Sequence, residues 1–423
     1  MKRRDFLKLS SLASLGALPA CGYLKIDPMH VLLRSDLIES MEQERAIMGR
    51  ARLGWTADRR IRVLFVRGTP YERGYQHGKL LRTEVQANLG SLYKKAVDKF
   101  RLEELFDEAY ERQRPYIPQE YVEEMHGLAH GSKLPLHVIH GIHALPEIGE
   151  WGGKKRFKTI IKQMMDGELA TSCSNLTCFK GASKDQRMYV VRILDWGLHR
   201  ISRLHEFPLI TVGVPEKGIP YANIGWVGFL GAISGMNAKG ITLGEMGYGD
   251  VPGETMRGKP MPFLLRDVLE YASNLKDVRR IIRESPGTNS FIFMMSDGKS
   301  KESELYIRDH DRFVVKETPG KDYVDRENHV KGVEHTLYGG HYLDKMEAVL
   351  KRYHGGITPE LLMDKIIPEI VMPSNFQNVV YAPEDLKFWV ANAKSKEEAA
   401  AQQPYTFFDF GAALSWYGAK PAV

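Results

Sequence analysis

The sequence predicts an α+β fold. Three observations carry this. The first third reads as helical, short glycine-punctuated β-runs take over from about residue 170, and only a few helical stretches interrupt them. The chain has 423 residues, of which 43% are hydrophobic and 26% charged. That is the make-up of a globular chain with a core, and it excludes a disordered, collagenous or coiled-coil protein. No apolar run reaches about 18 residues, so the sequence predicts no membrane-crossing helix. Half of the net charge of +6 falls in the first twenty residues. The remainder is too weakly basic to argue for nucleic acid. Three cysteines are too few for a disulfide framework.

Residues 1–21 read as an address. Arg3 and Arg4, followed by Phe6, Leu7 and Lys8, look like a twin-arginine signal, and a short apolar stretch follows. Leu18-Pro19-Ala20-Cys21 resembles a lipobox, in which Cys21 receives a lipid. Gly22 after that cysteine favours the outer membrane, by resemblance to bacterial lipoproteins. The expectation is an exported, periplasm-facing protein tethered to a membrane by lipid.

Residues 22–60 are mixed and charged, and read as a linker and a first helix. Residues 62–67 alternate and are β-rich, so they predict a strand. Thr69 and Pro70 then suit the N-cap and first turn of a helix. Leu80, Leu81, Val85, Leu89, Leu92 and Tyr93 fall on one helical stripe. Helix continues from 110 to 142, with breaks at Pro115, Pro118 and Pro135. Strands are predicted at 188–194, 209–214, 221–224, 240–245, 290–295, 304–308 and 312–315. A helical pair, 262–273 and 276–284, interrupts them. Helices at 342–354 and 358–367 and strands at 378–381, 387–390 and 406–410 close the chain.

The chemistry concentrates at 171–196. Cys173 sits in a small polar run, a turn follows at Lys184-Asp185-Gln186, and a strand carrying Arg192 ends at Asp195 and Trp196. A hairpin here would return Arg192 and Asp195 to Cys173. A thiol ionises near pH 8.5, and only the thiolate is a strong nucleophile. A neighbouring arginine stabilises it, and a carboxylate holds an amine. Were the chain cut before Cys173, the freed α-amine would have a pKa near 8 and stand beside the thiol as its base. The plainer use of such a cysteine is packing.

Cys173, Ser174, Gly181, Ala182, Ser183, Arg192, Asp195 and Trp196 stand in an order that resembles the acyl-coenzyme A:isopenicillin N acyltransferase family. These are self-cleaving N-terminal-nucleophile amidohydrolases, with acid ceramidase and bile-salt hydrolase as more distant relatives. Further elements fit the resemblance. They are Gly68-Thr69-Pro70 with Gly74 and Gly78, Gly235-Met236-Asn237 with Gly240, Thr288-Asn289-Ser290, and Ser374-Asn375 through Pro383. The coverage is roughly 62–410. The family has asparagine where Ile193 stands, serine where Asn175 stands, and an Asn-His pair where this chain has Gly340-His341.

The resemblance implies a four-layer αββα fold with two stacked antiparallel sheets between helices. It implies autocleavage between Ser172 and Cys173, giving an α chain of 22–172 and a β chain of 173–423. Cys173 would be the nucleophile, Arg192 would lower its pKa, and Asp195 would bind the new α-amine. Asn289 would donate to the oxyanion. Asn237 and Arg352 are further candidates, although Asn237 also reads as the left-handed residue of a turn. The implied partner is a small acyl-amide substrate.

Cys178 competes with Cys173, but the resemblance favours Cys173, since only Cys173 stands at the family's spacing from Asp195, and Cys178 reads as core or a weak secondary thiol. His126, His130, His137, His140 and His143 have helical spacings that zinc can use. No acidic partner accompanies them in a known order, so the expectation is no metal and no cofactor. The apolar-aromatic stretch 226–230 suits an acyl pocket or the core. The rival reading is a non-catalytic, ligand-binding envelope lipoprotein on a degenerate hydrolase fold.

Overall fold

A computed structural model describes residues 38, 40–100, 103–150, 173–197, 202–247, 255–317, 323–325, 330–340 and 342–419. The expected signal, Cys21, Ser172 and His341 lie outside them. The chain divides into two units, 1–43 and 44–423, and everything below concerns the second.

Strands β1 (Arg52–Trp55) and β2 (Arg62–Gly68) open the fold. Helix α1 (Pro70–Leu80) begins on a full capping box. Thr69 accepts from the Glu72 N–H, and Glu72 accepts from that of Thr69. Helices α2 (Ser91–Phe100), α3 (Glu103–Gln113), α4 (Gln119–Ser132) and α5 (Leu136–Glu150) complete the helical third. Gly74 and Gly78 of α1 face Gly127 and Gly131 of α4 at backbone distance. A Cβ on Gly74 would stand 2.0 Å from the Glu124 carbonyl oxygen, and one on Gly127 would stand 2.1 Å from that of Tyr71. The early glycine motif therefore serves helix packing. Gly127→Ala should cost about 3 kcal/mol through forced helix separation, read as a lowered melting temperature in uncleavable Cys173→Ala protein.

The hairpin β3 (Ser174–Lys180) and β4 (Gln186–Leu194) forms where expected. It is followed by β5 (Pro208–Pro215), β6 (Tyr221–Trp226), β7 (Gly235–Asn237), β8 (Ile241–Thr242) and β9 (Glu245–Gly247). Then come α6 (Met261–Tyr271), α7 (Leu275–Glu284), β10 (Phe291–Asp297), β11 (Glu302–Arg308) and β12 (Phe313–Glu317). Next are β13 (Tyr323–Asp325), β14 (Val330–Gly332), β15 (Thr336–Gly339) and α8 (Leu343–Tyr353). A broken helical run at 359–370 leads to β16 (Gln377–Ala382), β17 (Lys387–Asn392), β18 (Thr406–Asp409) and α9 (Phe410–Trp416).

These strands make two sheets. One runs β1-β2-β5-β6-β7-β8-β10-β11-β12, with β9 also on β10. The other runs β13-β14-β15-β3-β4-β16-β17-β18. Alternation along each strand sorts the side chains into layers. Val63, Phe65, Ile210, Val212 and Ile224 of the first sheet meet Met188, Val190, Val379 and Tyr381 of the second. The outer face of the second sheet, with Leu176, Tyr189, Val191 and Ile193, packs on α8 and on 359–370. The outer face of the first, with Phe291, Phe293 and Tyr306, packs on α6 and α7. The expected four-layer α+β arrangement is therefore present. Among the described strands it departs from pure antiparallel pairing between β2 and β5, which are parallel. A long crossover, carrying the whole helical third and the first hairpin of the other sheet, separates them, and parallel neighbours need such a connection.

Candidate active site

Cys173 is buried immediately before β3, where the chain enters the second sheet. The hairpin register sets Asn175 opposite Arg192 and Ser174 opposite Ile193. Arg192 is fully buried between the sheets. Its Nη1 donates to the Ile193 carbonyl at 2.7 Å, and its Nε donates to that of Ile233 at 3.4 Å. Its Nη2 donates to Glu245 Oε2 at 2.9 Å, and the guanidinium also hydrogen-bonds the Cys173 side chain. Burial pushes the thiol up to about 12, while Arg192 pulls against it. In the intact chain Cys173 is thus a protonated thiol at neutral pH.

Asp195 follows β4 and is also fully buried. Its Oδ1 accepts from Asn375 Nδ2 at 2.9 Å, and its Oδ2 accepts from the Met372 N–H at 3.1 Å. Burial nevertheless pushes its carboxyl up to about 7, against those hydrogen bonds and Arg192. A free aspartate ionises near 4, so between about pH 4 and 7 the unfolded chain holds fewer protons than the folded one. Stability therefore falls as pH rises through this window. Asp195→Asn in Cys173→Ala protein should remove that contribution, which denaturant unfolding at pH 4.5 and 7.5 measures.

Sequence reasoning missed three members of this neighbourhood. Glu245, a buried carboxylate on β9, is the ion partner of Arg192. Asn375 holds Asp195 and is itself locked to Asn378 by reciprocal amide bonds of 2.8 and 2.9 Å. Glu147 of α5 accepts from Asn289 Nδ2 at 3.0 Å and from Thr288 Oγ1 at 2.6 Å, and also caps the Met261 N–H. The signals were an acid inside a strand-like run, an Asn-x-x-Asn spacing, and an acid in an apolar helix.

The structure does not bring every candidate to Cys173. Asn289 is buried one residue before Ser290, and its Nδ2 donates twice to Glu147, to the side chain and to the carbonyl at 2.8 Å. Asn237 is not the left-handed residue of its turn, which is Gly240 at φ +81°. Asn237 Nδ2 donates to the Leu269 and Ala272 carbonyls, and its Oδ1 accepts from the Lys239 and Ile241 N–H groups. Its amide nitrogen holds β7 to α6 and its amide oxygen closes the β7–β8 turn, so Asn237 is structural. Arg352 is corrected likewise. It lies on the outer surface of α8, exposed and paired with Glu369 at 3.1 Å.

The departures from the family pattern also have physical accounts. Ile193 points away from the site into the outer core. Asn175 points inward and donates to the Glu245 carbonyl at 3.2 Å. Gly340 has φ +126°, and a Cβ there would stand 2.5 Å from the Cys173 carbonyl oxygen, so the chain passes over Cys173 only as glycine. Cys178 faces the outer core, where its thiol is also pushed up to about 12 by burial. Both cysteines are free.

Cys173, Asp195, Trp196 and Glu245, with Pro146, Ile233 and Met261, line a pocket of about 410 Å³ of empty space that is partly open to solvent. A thiol and two carboxylates thus converge on one hollow, with the Arg192 guanidinium buried behind them against Glu245.

Residues 185–357 match the family described as acyl-coenzyme A:6-aminopenicillanic acid acyl-transferase. The match covers the centre of the chain, from the turn before β4 to the residues after α8. It is 23% identical over 298 residues to protein dcd1A of Dictyostelium discoideum, covering 63% of each. It is 22% identical over 270 residues to protein dcd1B of the same organism, covering 58% of this chain and 50% of the relative. An uncharacterized protein of Archaeoglobus fulgidus is 26% identical over 289 residues, at 60% and 44% coverage. The alignments thus span less than two thirds of each relative. Among solved structures, a Caenorhabditis elegans ortholog of N-acylethanolamine-hydrolyzing acid amidase matches at TM-score 0.38 and 13% identity, covering 50% of this chain and 93% of that one. A conjugated bile acid hydrolase from Clostridium perfringens, solved as a mutant, matches at 0.36 and 12%, covering 57% and 93%.

Proposed function

We propose that this chain is a member of the acyl-transferase family it matches, and an exported, lipid-anchored and self-processing cysteine amidohydrolase or acyltransferase. The family match over residues 185–357 supports a hydrolase or acyltransferase in general. The observation that carries the finer reading is the Cys173 thiol, hydrogen-bonded to Arg192 in a pocket that also holds Asp195.

Processing starts when the Cys173 thiol adds to the Ser172 carbonyl and the Ser172–Cys173 peptide bond breaks. Water then hydrolyses the resulting thioester, leaving Ser172 as a carboxylate and Cys173 with a free α-amine. That amine has a pKa near 8, where a peptide nitrogen has no basicity. Asp195 holds it. In turnover the amine takes the thiol proton, the thiolate adds to an acyl amide, and the amine returns the proton to the departing nitrogen. Water or an acceptor amine releases the acyl group from sulfur. For Asn289 to donate to the oxyanion, its amide must first let go of Glu147.

Intact mass and N-terminal sequencing of purified protein lacking residues 1–21 test this. Cleavage yields fragments of roughly 17 and 28 kDa, in proportion to 48.1 kDa for 423 residues, with Cys173 leading the larger. Protein that stays whole under reducing conditions would favour a ligand-binding lipoprotein instead.

A further inference from the structure

Beside the Cys173 pocket lies a second cavity, of about 580 Å³ of empty space, and the two share Pro146, Trp196 and Ile233 as walls. Its lining is mainly apolar. Trp226 lies flat on Phe376, with ring centroids 4.6 Å apart and planes 5° from parallel, and Phe229 and Leu204 stand beside them.

One wall is the segment 226–231, and buried side chains hold its backbone. Asn88 Nδ2 donates to the Val227 carbonyl at 2.8 Å. The Gly228 N–H donates to His77 Nε2 at 2.9 Å, and the Leu230 N–H donates to His143 Nε2 at 3.0 Å. Arg266 donates to the Leu230 carbonyl, and Asn223 Nδ2 donates to that of Gly231 at 3.1 Å. Burial keeps both histidines neutral, with pKa lowered to about 4, so each stays an acceptor. Moving this wall would leave several buried polar groups unpaired. This wall of the cavity is therefore held in place against a longer guest.

We infer that this cavity receives the acyl half of the substrate and admits apolar aliphatic acyl groups up to a set length, with Gly225 as the gauge of that length. The inference rests on Cys173 being the nucleophile. Apolar walls reject a charged or strongly polar acyl group, whose desolvation they do not offset. The amine half is left to the polar side of the Cys173 pocket. Gly225 lines the cavity from the end of β6. A Cβ added there meets only Asn223 Oδ1, at 3.7 Å, which is ordinary contact. A larger side chain at 225 would enter the void and leave the backbone in place.

The test is kcat/KM of the self-cleaved protein on anilides of straight-chain acids, from acetyl to dodecanoyl. Wild type should show a chain-length optimum with a sharp fall beyond it. In Gly225→Leu the ratio of that optimal chain to acetyl should drop at least tenfold, since one methylene in a shaped pocket is worth about 10- to 200-fold. Gly225→Ala should shift the same way by less. An unchanged ratio in both variants, or no dependence on chain length in wild type, overturns the inference. If wild type turns over no anilide, the enzymatic reading fails by itself. Binding of free straight-chain carboxylates to Cys173→Ala, followed by tryptophan fluorescence, then decides the cavity. A length limit shortened by Gly225→Leu sustains it, and absence of binding overturns it.

Discussion

Arg192→Met is expected to lower activity about a hundredfold or more, and to destabilise the fold by about 3–5 kcal/mol. The two losses have separate causes. Arg192 is the group that pulls the Cys173 pKa down against burial. Without it, less thiolate forms at any pH, and a fixed charge that is ready before the reaction is typically worth 10²–10³ in rate. The stability loss comes from Glu245, a buried carboxylate left without its cation. The double variant Arg192→Met/Glu245→Met should therefore regain most of the stability and none of the activity. Thermal melts of the Cys173→Ala versions separate the two effects. Alkylation of Cys173 against pH should shift to higher pH in Arg192→Met alone. A double variant as unstable as the single one would show that Arg192 acts by packing instead of charge.

Arg266→Met is the second large effect, expected to cost about 3–5 kcal/mol. Arg73, Glu124, Arg266 and Glu270 form a closed ring of alternating charge, each at most 4% exposed. Arg266 Nη2 lies 3.1 Å from Glu124 and 2.5 Å from Glu270, while Arg73 reaches the same two acids at 3.2 and 3.4 Å. Removing one arginine leaves two buried carboxylates and one cation. A domain is stable by only about 5–15 kcal/mol, so much of the total is lost. Adding Glu270→Gln restores charge parity and should recover a large part of it. Denaturant midpoints of the single and double variants read this directly.

Local elements were legible in the sequence because their causes are local. The alternation at 62–67 became β2, Thr69 and Glu72 closed a capping box, and the Cys173–Asp195 stretch folded as a hairpin. Arg192 could be tied to Cys173 because both lie on that one hairpin. Glu245, Asn375 and Glu147 could not. Each reaches the site from a remote strand or helix, and nothing in spacing announces which buried acid will face which buried base. The short strand β7 also escaped, and the run read as one strand at 240–245 is divided between β8 and β9, since two or three residues carry no periodicity. Asn237 and Arg352 were misjudged for a related reason. A motif names a residue type, while the hydrogen bonds of Asn237 and the outward face of α8 depend on what packs there.

The parallel pairing of β2 with β5 has a further consequence. β2 precedes residue 173 and β5 follows it, so the first sheet is woven from both sides of the proposed cut. The glycine-packed helices and Glu147 also belong to the earlier side. A nicked molecule would hold together without any covalent link, and its halves would co-purify until denatured. Once separated, they would have to find each other by collision before the sheet could re-form. Refolding would become dependent on concentration, where folding of the uncut chain is not. The cut would then act as a ratchet, turning a reversible folding equilibrium into a persistent molecule whose lifetime is set by its unfolding rate.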